Sequence, residues 1–231
     1  MVLPGSGFDV VPTDCMAAML KRRLPDATSL VLAFEAGGGP SPGTAKTSVE
    51  GLGKGGRARV NGEVTSVPLA WKTREFVRDG KARSAMTIPW GDVYTAHVST
   101  GIPNIETYMV VPPKTIRSMQ WMRRVQPLLR LGFVQNIMKQ RVEQSTPGPT
   151  EQRRQDTGCY VWGEATNAAG KQAKLALSAP NGYDLTVTAS LGIAQHLLAQ
   201  PRTSAGYFTP SMLMGAEYVL SLPGVRLIDA A

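Results

Sequence analysis

The stretch that decides the fold reads Arg57-Ala-Arg-Val-Asn-Gly-Glu-Val-Thr-Ser-Val67, followed by Thr73-Arg-Glu-Phe-Val-Arg-Asp-Gly-Lys-Ala-Arg-Ser-Ala-Met-Thr-Ile88. In each half an Asn-Gly or Asp-Gly dipeptide interrupts residues rich in Val, Thr and Phe. Such dipeptides accept positive φ at both positions, which is the turn whose twist matches that of two paired strands. Ala58–Val60 and Val64–Val67 are therefore predicted to pair across Asn61-Gly62, and Thr73–Val77 with Ala82–Ile88 across Asp79-Gly80. From Arg57 to Pro89 the chain reads as β, and as hairpins rather than strands alternating with helices.

Upstream, Pro12-Thr13-Asp14 precedes a helical pattern over Cys15–Arg23, with Thr13 or Asp14 as its cap and Leu24-Pro25-Asp26 as its stop. Ser29–Glu35 is an apolar run of strand length, Gly37–Pro42 a loop, and Thr44–Leu52 a helix. Downstream come a short helix at Asp92–Ser99 and a strand at Asn104–Val111. Pro112-Pro113 opens a pair of basic helices, with Pro127 placed to begin the second. Gln144–Gln155, rich in Gln, Thr, Pro and Arg, reads as a mobile linker or exposed loop. Cys159–Ala165 and Gln172–Leu177 form another hairpin, and helices at Asp184–Leu198 and Pro210–Leu220, the latter capped by Thr209, complete the pattern. The expectation is one α+β domain over residues 1–231: a mixed, mainly antiparallel sheet with helices packed on one face.

The chain has 231 residues, 42% of them hydrophobic, enough to bury roughly 70–75% of its unfolded surface. That excludes general disorder and a scaffold needing metal or disulfide staples. Cys15 and Cys159 build no disulfide framework and suit a reducing cytoplasm. His97 and His196 have no His or Cys near them in sequence, so no metal site is expected. Met1–Asp9 has neither the basic nor the apolar region of a signal peptide, and Leu185–Pro201 carries too many polar groups to span a membrane. A soluble cytoplasmic chain is the expectation.

The net charge is +8, and it is concentrated. Between Lys114 and Arg154 nine basic residues face two acidic ones, a surplus of seven. Arg117 and Arg124 are seven apart, as are Arg123 and Arg130, which on a helix places each pair on one strip. Trp121, Leu128, Leu131, Phe133 and Ile137 lie among them, giving a basic amphipathic pattern. Such a strip could meet an anionic membrane surface or another anionic partner, although a solvated helix face is the plainer reading. The interleaving lacks the stacking aromatics of a nucleic-acid module, so no nucleic-acid partner is expected.

Gly51-Leu-Gly-Lys-Gly-Gly56 spells G-x-G-x-x-G, but a helix precedes it and a strand follows. A dinucleotide needs the reverse order, so that pyrophosphate meets a helix N-terminus; this match is a plain turn. Gly37–Thr44 has the better order, with Thr44 and Lys46 at the helix start as candidate substrate-binding residues. Pro40 and Pro42 nevertheless remove two donors there. Ile88-Pro-Trp-Gly-Asp92 with His97, Ser99 and Thr100 is the densest reactive group, and His97 with Asp92 is the candidate pair for proton transfer. No Gly-x-Ser-x-Gly elbow supports a serine hydrolase.

Several strings resemble the saccharopine dehydrogenase-like NAD(P) oxidoreductases, a group that includes trans-acting enoyl reductases. They are Gly5-Ser-Gly-Phe-Asp-Val-Val-Pro-Thr-Asp-Cys15, Ser41-Pro-Gly-Thr-Ala-Lys-Thr47, Thr87-Ile-Pro-Trp-Gly-Asp-Val93 and Ser99-Thr-Gly-Ile-Pro-Asn-Ile-Glu106. The likeness continues through Val161–Ala165 and Gly206–Pro210 to Leu222–Val225. In that family a Rossmann domain precedes the first string, whereas here Met1 stands only a few residues before Gly7-Phe8-Asp9. The resemblance thus implies the C-terminal region of such a protein, with hydride transfer from NADP or NAD only when a Rossmann partner supplies the cofactor. It further implies that Gly7, Phe8 and Asp9 lie at the nicotinamide end, with Trp90, Asp92 and His97 on the substrate side, and that the chain can pair as a homodimer. An exposed apolar patch for the missing partner is expected around Phe8, Val10, Val11 and Met212–Leu220. The alternative is a non-catalytic basic module on an anionic membrane surface.

Overall fold

The computed structural model describes residues 1–200 and 205–229; Pro201, the last residue of the uncharged run read above, lies outside them. In chain order the elements are α1 (Val11–Arg23), β1 (Ala27–Ala36), α2 (Pro42–Leu52), β2 (Gly56–Val60), β3 (Glu63–Val67), β4 (Thr73–Arg78) and β5 (Lys81–Thr87). Then follow α3 (Asp92–Thr100), β6 (Asn104–Val110), α4 (Pro113–Met122), α5 (Gly132–Ser145) and α6 (Glu151–Gln155). The last are β7 (Cys159–Asn167), β8 (Gln172–Ala179), α7 (Gly182–Ala199), α8 (Pro210–Met214), α9 (Tyr218–Ser221) and β9 (Arg226–Ile228).

Both decisive hairpins form as read. Asn61 and Gly62 have φ of 50° and 86°, and Asp79 and Gly80 of 51° and 69°, the left-handed pair that a twisted two-residue turn requires. The nine described strands make one sheet in the order β3-β2-β6-β1-β7-β8-β9, with β5 also on β6 and β4 on β5. β1 and β6 run parallel, Leu30 beside Ile105, and the other pairings are antiparallel. The two hairpins share one edge of β6: Arg59 pairs with Ile105 near its start, and Ala85–Thr87 pair with Val110–Tyr108 at its end.

Strand alternation sorts the two faces. Leu30, Leu32, Phe34, Val161, Ala165, Leu175 and Leu177 point to the face covered by α1, α3, α7, α8 and α9, where Met16, Leu20, Leu185, Ile193 and Val219 complete the core. α1 crosses β7 at Gly163, where a Cβ would stand 2.6 Å from both Leu20 Cδ1 and Met16 Sδ. The opposite face carries Ala33, Tyr108, Trp162 and Ala176. β4 is four strand steps from β7, about 19 Å in a flat sheet, yet the Phe76 and Trp162 rings stack with centroids 5.8 Å apart. The β4–β5 hairpin therefore curls over this face, and ion pairs of Arg74 with Glu164 and Arg78 with Glu35, both at 3.0 Å, hold it down.

Several boundaries differ from the sequence reading, each for a local reason. α1 begins at Val11, so Thr13 and Asp14 lie inside its first turn and neither caps it. Pro12 occupies an early helical position, where its fixed φ suits the helix. α2 begins at Pro42 because Ser41 Oγ accepts from Thr44 N–H at 3.2 Å. The second basic helix starts at Gly132 rather than Pro127, after single turns at residues 123–125 and 128–130. Residues 151–155 form α6, capped by Thr150. The expected Pro210–Leu220 helix is two short ones, broken at Gly215 with φ 91°, while Thr209 caps the first as read.

Candidate functional site

The segment before α1 and the one before α3 meet over the N-terminus of α7. Gly7 is buried against α7, where a Cβ would lie 2.6 Å from Thr186 Cγ2, and Phe8 N–H donates to Thr186 Oγ1 at 3.0 Å. The Phe8 ring meets Phe34 edge-on at 5.3 Å and Trp90 at 6.4 Å, and Phe34 and Trp90 are 4.7 Å apart. These three rings form an aromatic wall at the end of β1. The Trp90 indole N–H is buried with no acceptor among the described residues. The Gly37–Ser41 loop closes the same end: Asn181 Nδ2 donates to Gly37 O and Thr157 Oγ1, and Ser41 N–H donates to Tyr183 Oη at 2.6 Å.

Three carboxylates gather beside the wall. Asp9 stands at the solvent-facing rim, close enough to Gly91 that a Cβ there would lie 2.9 Å from Asp9 Oδ1. Surrounding protein disfavours its charge and pushes its carboxyl up to about 6, partly offset by the Gly91 N–H. Asp92 has no exposed surface. Thr13 Oγ1 donates to its Oδ2 at 2.7 Å, while Oδ1 has no partner among the described residues. Burial holds its carboxyl well above the usual range; the Thr13 hydrogen bond opposes the shift, and the Asp14 and Asp9 charges add to it. Asp14, equally buried, accepts from Ser99 Oγ and from the Ser211 N–H, both at 2.7 Å. Asp14 thus ties α1 to α3 and to the start of α8. The hydroxyls of Thr13 and Ser99 are part of this constellation, and reading along the chain could not show it, because both partners of each bond lie about eighty residues apart.

The other sequence candidates fall elsewhere. His97 lies five residues beyond Asp92 on α3, roughly 140° around the axis, and its Nδ1–H donates to Ile102 O at 2.9 Å. The structure does not join the two as a pair. Lys46 forms an ion pair with Glu143 of α5 at 2.8 Å, and the Thr44 N–H is taken by Ser41. The G-x-G-x-x-G match turns from α2 into β2, as read. A shallow concavity of about 600 Å³ lies there, lined by Lys54, Arg57, Arg130 and Lys139 with Glu50, apart from the carboxylates. Of the expected partner patch, Val10, Val11 and Val219 are buried within the chain, Phe8, Leu213, Met214 and Leu220 are half-buried, and Met212 is exposed. Exposed apolar side chains stand also on α7, at Val187, Leu191 and Leu198. For a nicotinamide dinucleotide the described residues offer an aromatic wall and an accessible carboxyl, but the strand-to-helix Gly turn at Gly37–Ser41 is closed by its own hydrogen bonds, Ser41 Oγ on the Thr44 N–H and the Ser41 N–H on Tyr183, so they do not fit the whole group. Among the described residues no helix is long and apolar enough to cross a membrane, and no cluster of metal-ligating side chains occurs.

No protein-family model and no curated protein matches the chain. Among solved structures it is similar to apo saccharopine dehydrogenase (L-Glu forming) from Saccharomyces cerevisiae, with a TM-score of 0.50 and 7% sequence identity. The superposition covers 96% of this chain and 72% of that one, and does not assign this chain to one end of the other. An identity this low speaks for architecture alone: the chain has a saccharopine dehydrogenase-like α+β fold, with a mainly antiparallel sheet and its helices on one face.

Proposed function

We propose that these residues form the substrate-side portion of a nicotinamide-dependent oxidoreductase, with Asp9 as the proton-exchanging group at its mouth. The observation that carries the reading is Asp9 itself: an accessible carboxyl, poised to titrate near pH 6, beside the Phe8–Phe34–Trp90 wall. Such a carboxyl holds a proton long enough to give it and loses it easily enough to take one back. Asp92 has no surface from which to touch a substrate, so its part is positional: its bond to Thr13 fixes α1 against α3. Trp90 and Phe8, their rings set edge to face, present an apolar surface that orients a substrate and keeps water from one side of it.

NADP or NAD would supply the hydride when bound. In this reading its pyrophosphate is held by a Rossmann unit outside these 231 residues, and the Gly7–Asp9 segment faces the nicotinamide end. The fold likeness supports a nicotinamide-linked reaction, and a Gly37–Ser41 turn already occupied by its own hydrogen bonds supports holding the pyrophosphate elsewhere. Pairing as a homodimer and a cytoplasmic setting belong to the same reading. The test is a titration of NADPH and of NADH into the purified chain, followed by tryptophan fluorescence and calorimetry. No saturable binding up to millimolar cofactor is expected; saturation below millimolar concentration would overturn the division and make the chain a cofactor-binding enzyme in its own right.

A further inference from the structure

We infer that the α4–α5 segment is a docking surface for anionic lipid headgroups, a property independent of the function proposed above. The argument begins with which side of each helix is occupied. On α4, Ile116 packs against Ala70 and Met86, and the guanidinium of Arg123, the residue next after the helix, donates to Leu69 O and Ala70 O. Lys114, Arg117 and Trp121 lie about 100–160° round the axis from Ile116, Arg117 bordering the concavity beside β4, and they and Arg124 are all exposed. On α5, Gln135 donates to Val49 O, while Lys139 and Glu143 pair with Glu50 and Lys46 of α2. Residues two positions away point about 200° round the axis, so Phe133, Ile137 and Arg141 face away from the protein, and all three are exposed.

Both outward faces therefore combine large apolar side chains with cations. Trp121 is 57% exposed, Leu128 56%, Phe133 65% and Ile137 49%. Lys114, Arg117, Arg124 and Arg141 have no acidic partner among the described residues. This corrects the sequence reading of the basic strips. Arg123 and Arg130 are spent on backbone carbonyls, Arg130 on Gly53 O at 2.8 Å, whereas Arg117 and Arg124 flank Trp121 and remain free.

Charge complementarity selects the occupant. A polyanion without an apolar phase would neutralise the arginines and leave Phe133, Leu128 and Ile137 in water. A negatively charged bilayer surface takes both, the cations at the phosphates and the rings at the headgroup–acyl boundary. The surplus of seven positive charges between Lys114 and Arg154 supplies the long-range attraction.

The experiment is co-sedimentation of the full chain with phosphatidylcholine–phosphatidylglycerol vesicles and with pure phosphatidylcholine vesicles, at low and high salt, with light scattering on the free protein. The chain is expected to sediment with the anionic vesicles only and to be released by salt. Arg117→Glu/Arg124→Glu should lower the apparent partition at least about tenfold, and Trp121→Ser/Phe133→Ser should also weaken it. Thermal melts show whether each variant is folded, and the lipid and salt contrasts need no variant. Failure to sediment, or equal retention of the charge-reversed variant, would overturn the inference. So would a dimer that the Trp121→Ser/Phe133→Ser change dissociates, since a second copy would then cover the face.

Discussion

Asp9 shows how one side chain carries both the reactivity of the site and its cost. Its carboxyl rises from the usual 3.8 to about 6 because the protein packed on one side of it disfavours its charge. Between those values the folded chain binds more protons than the unfolded one, so stability falls as pH rises through that interval. The penalty is small at about pH 4 and below and complete above about pH 7. Asp92 acts in the same direction, because its buried carboxyl is also held up. Asp9→Asn keeps an oxygen for the Gly91 N–H but carries no charge. It should melt with the wild type at pH 4 and about 2–4 °C above it at pH 8, a difference that thermal melts at the two pH values would read. Equal melting at both would mean that the Asp9 carboxyl titrates normally and is no special acid.

Among the elements, the hairpins are local structures and α1 on β7 is a tertiary one. Asn61-Gly62 and Asp79-Gly80 set their own turns, because the required backbone is the one those residues prefer. The α1–β7 contact depends on a missing side chain: Gly163 lets Met16 and Leu20 approach the strand. A methyl group there would meet both and force their side chains to shift in a packed core. Gly163→Ala is expected to lower stability by about 1–3 kcal/mol, seen as a lower urea midpoint at unchanged slope. The same glycine reads as unremarkable in Val161–Ala165, since nothing in the strand pattern announces a helix above it.

The whole molecule is organised by the curl of its sheet. β4 reaches Trp162 only because its hairpin folds back, so the face opposite the helices is closed by strands instead. Phe76 is the contact that seals it, edge-on to Tyr108 and stacked on Trp162. Phe76→Ala should cost about 2–4 kcal/mol and weaken the near-ultraviolet circular dichroism of Trp162. An unchanged spectrum and stability would mean that the ion pairs to Glu35 and Glu164 hold the hairpin by themselves.

The α+β class, the three hairpins and most helices were legible along the chain, because turn dipeptides, helix caps and apolar periodicity are properties of neighbours. The G-x-G-x-x-G match could be dismissed from the order of the elements around it. The strings Gly5–Cys15 and Thr87–Val93 lie on segments that the fold brings together, but the contacts of their residues were not readable. Asp14 passes for a helix cap until the fold brings Ser99 and Ser211 to it, and His97 passes for a partner of Asp92 until α3 turns it toward Ile102. The arginines likewise look equivalent until α4 points Arg123 inward and Arg117 outward. Local conformation follows from each residue and the few beside it. Burial, and with it the charge state of Asp9 and Asp92, depends on surfaces brought from distant parts of the sequence, and only the tertiary structure decides those.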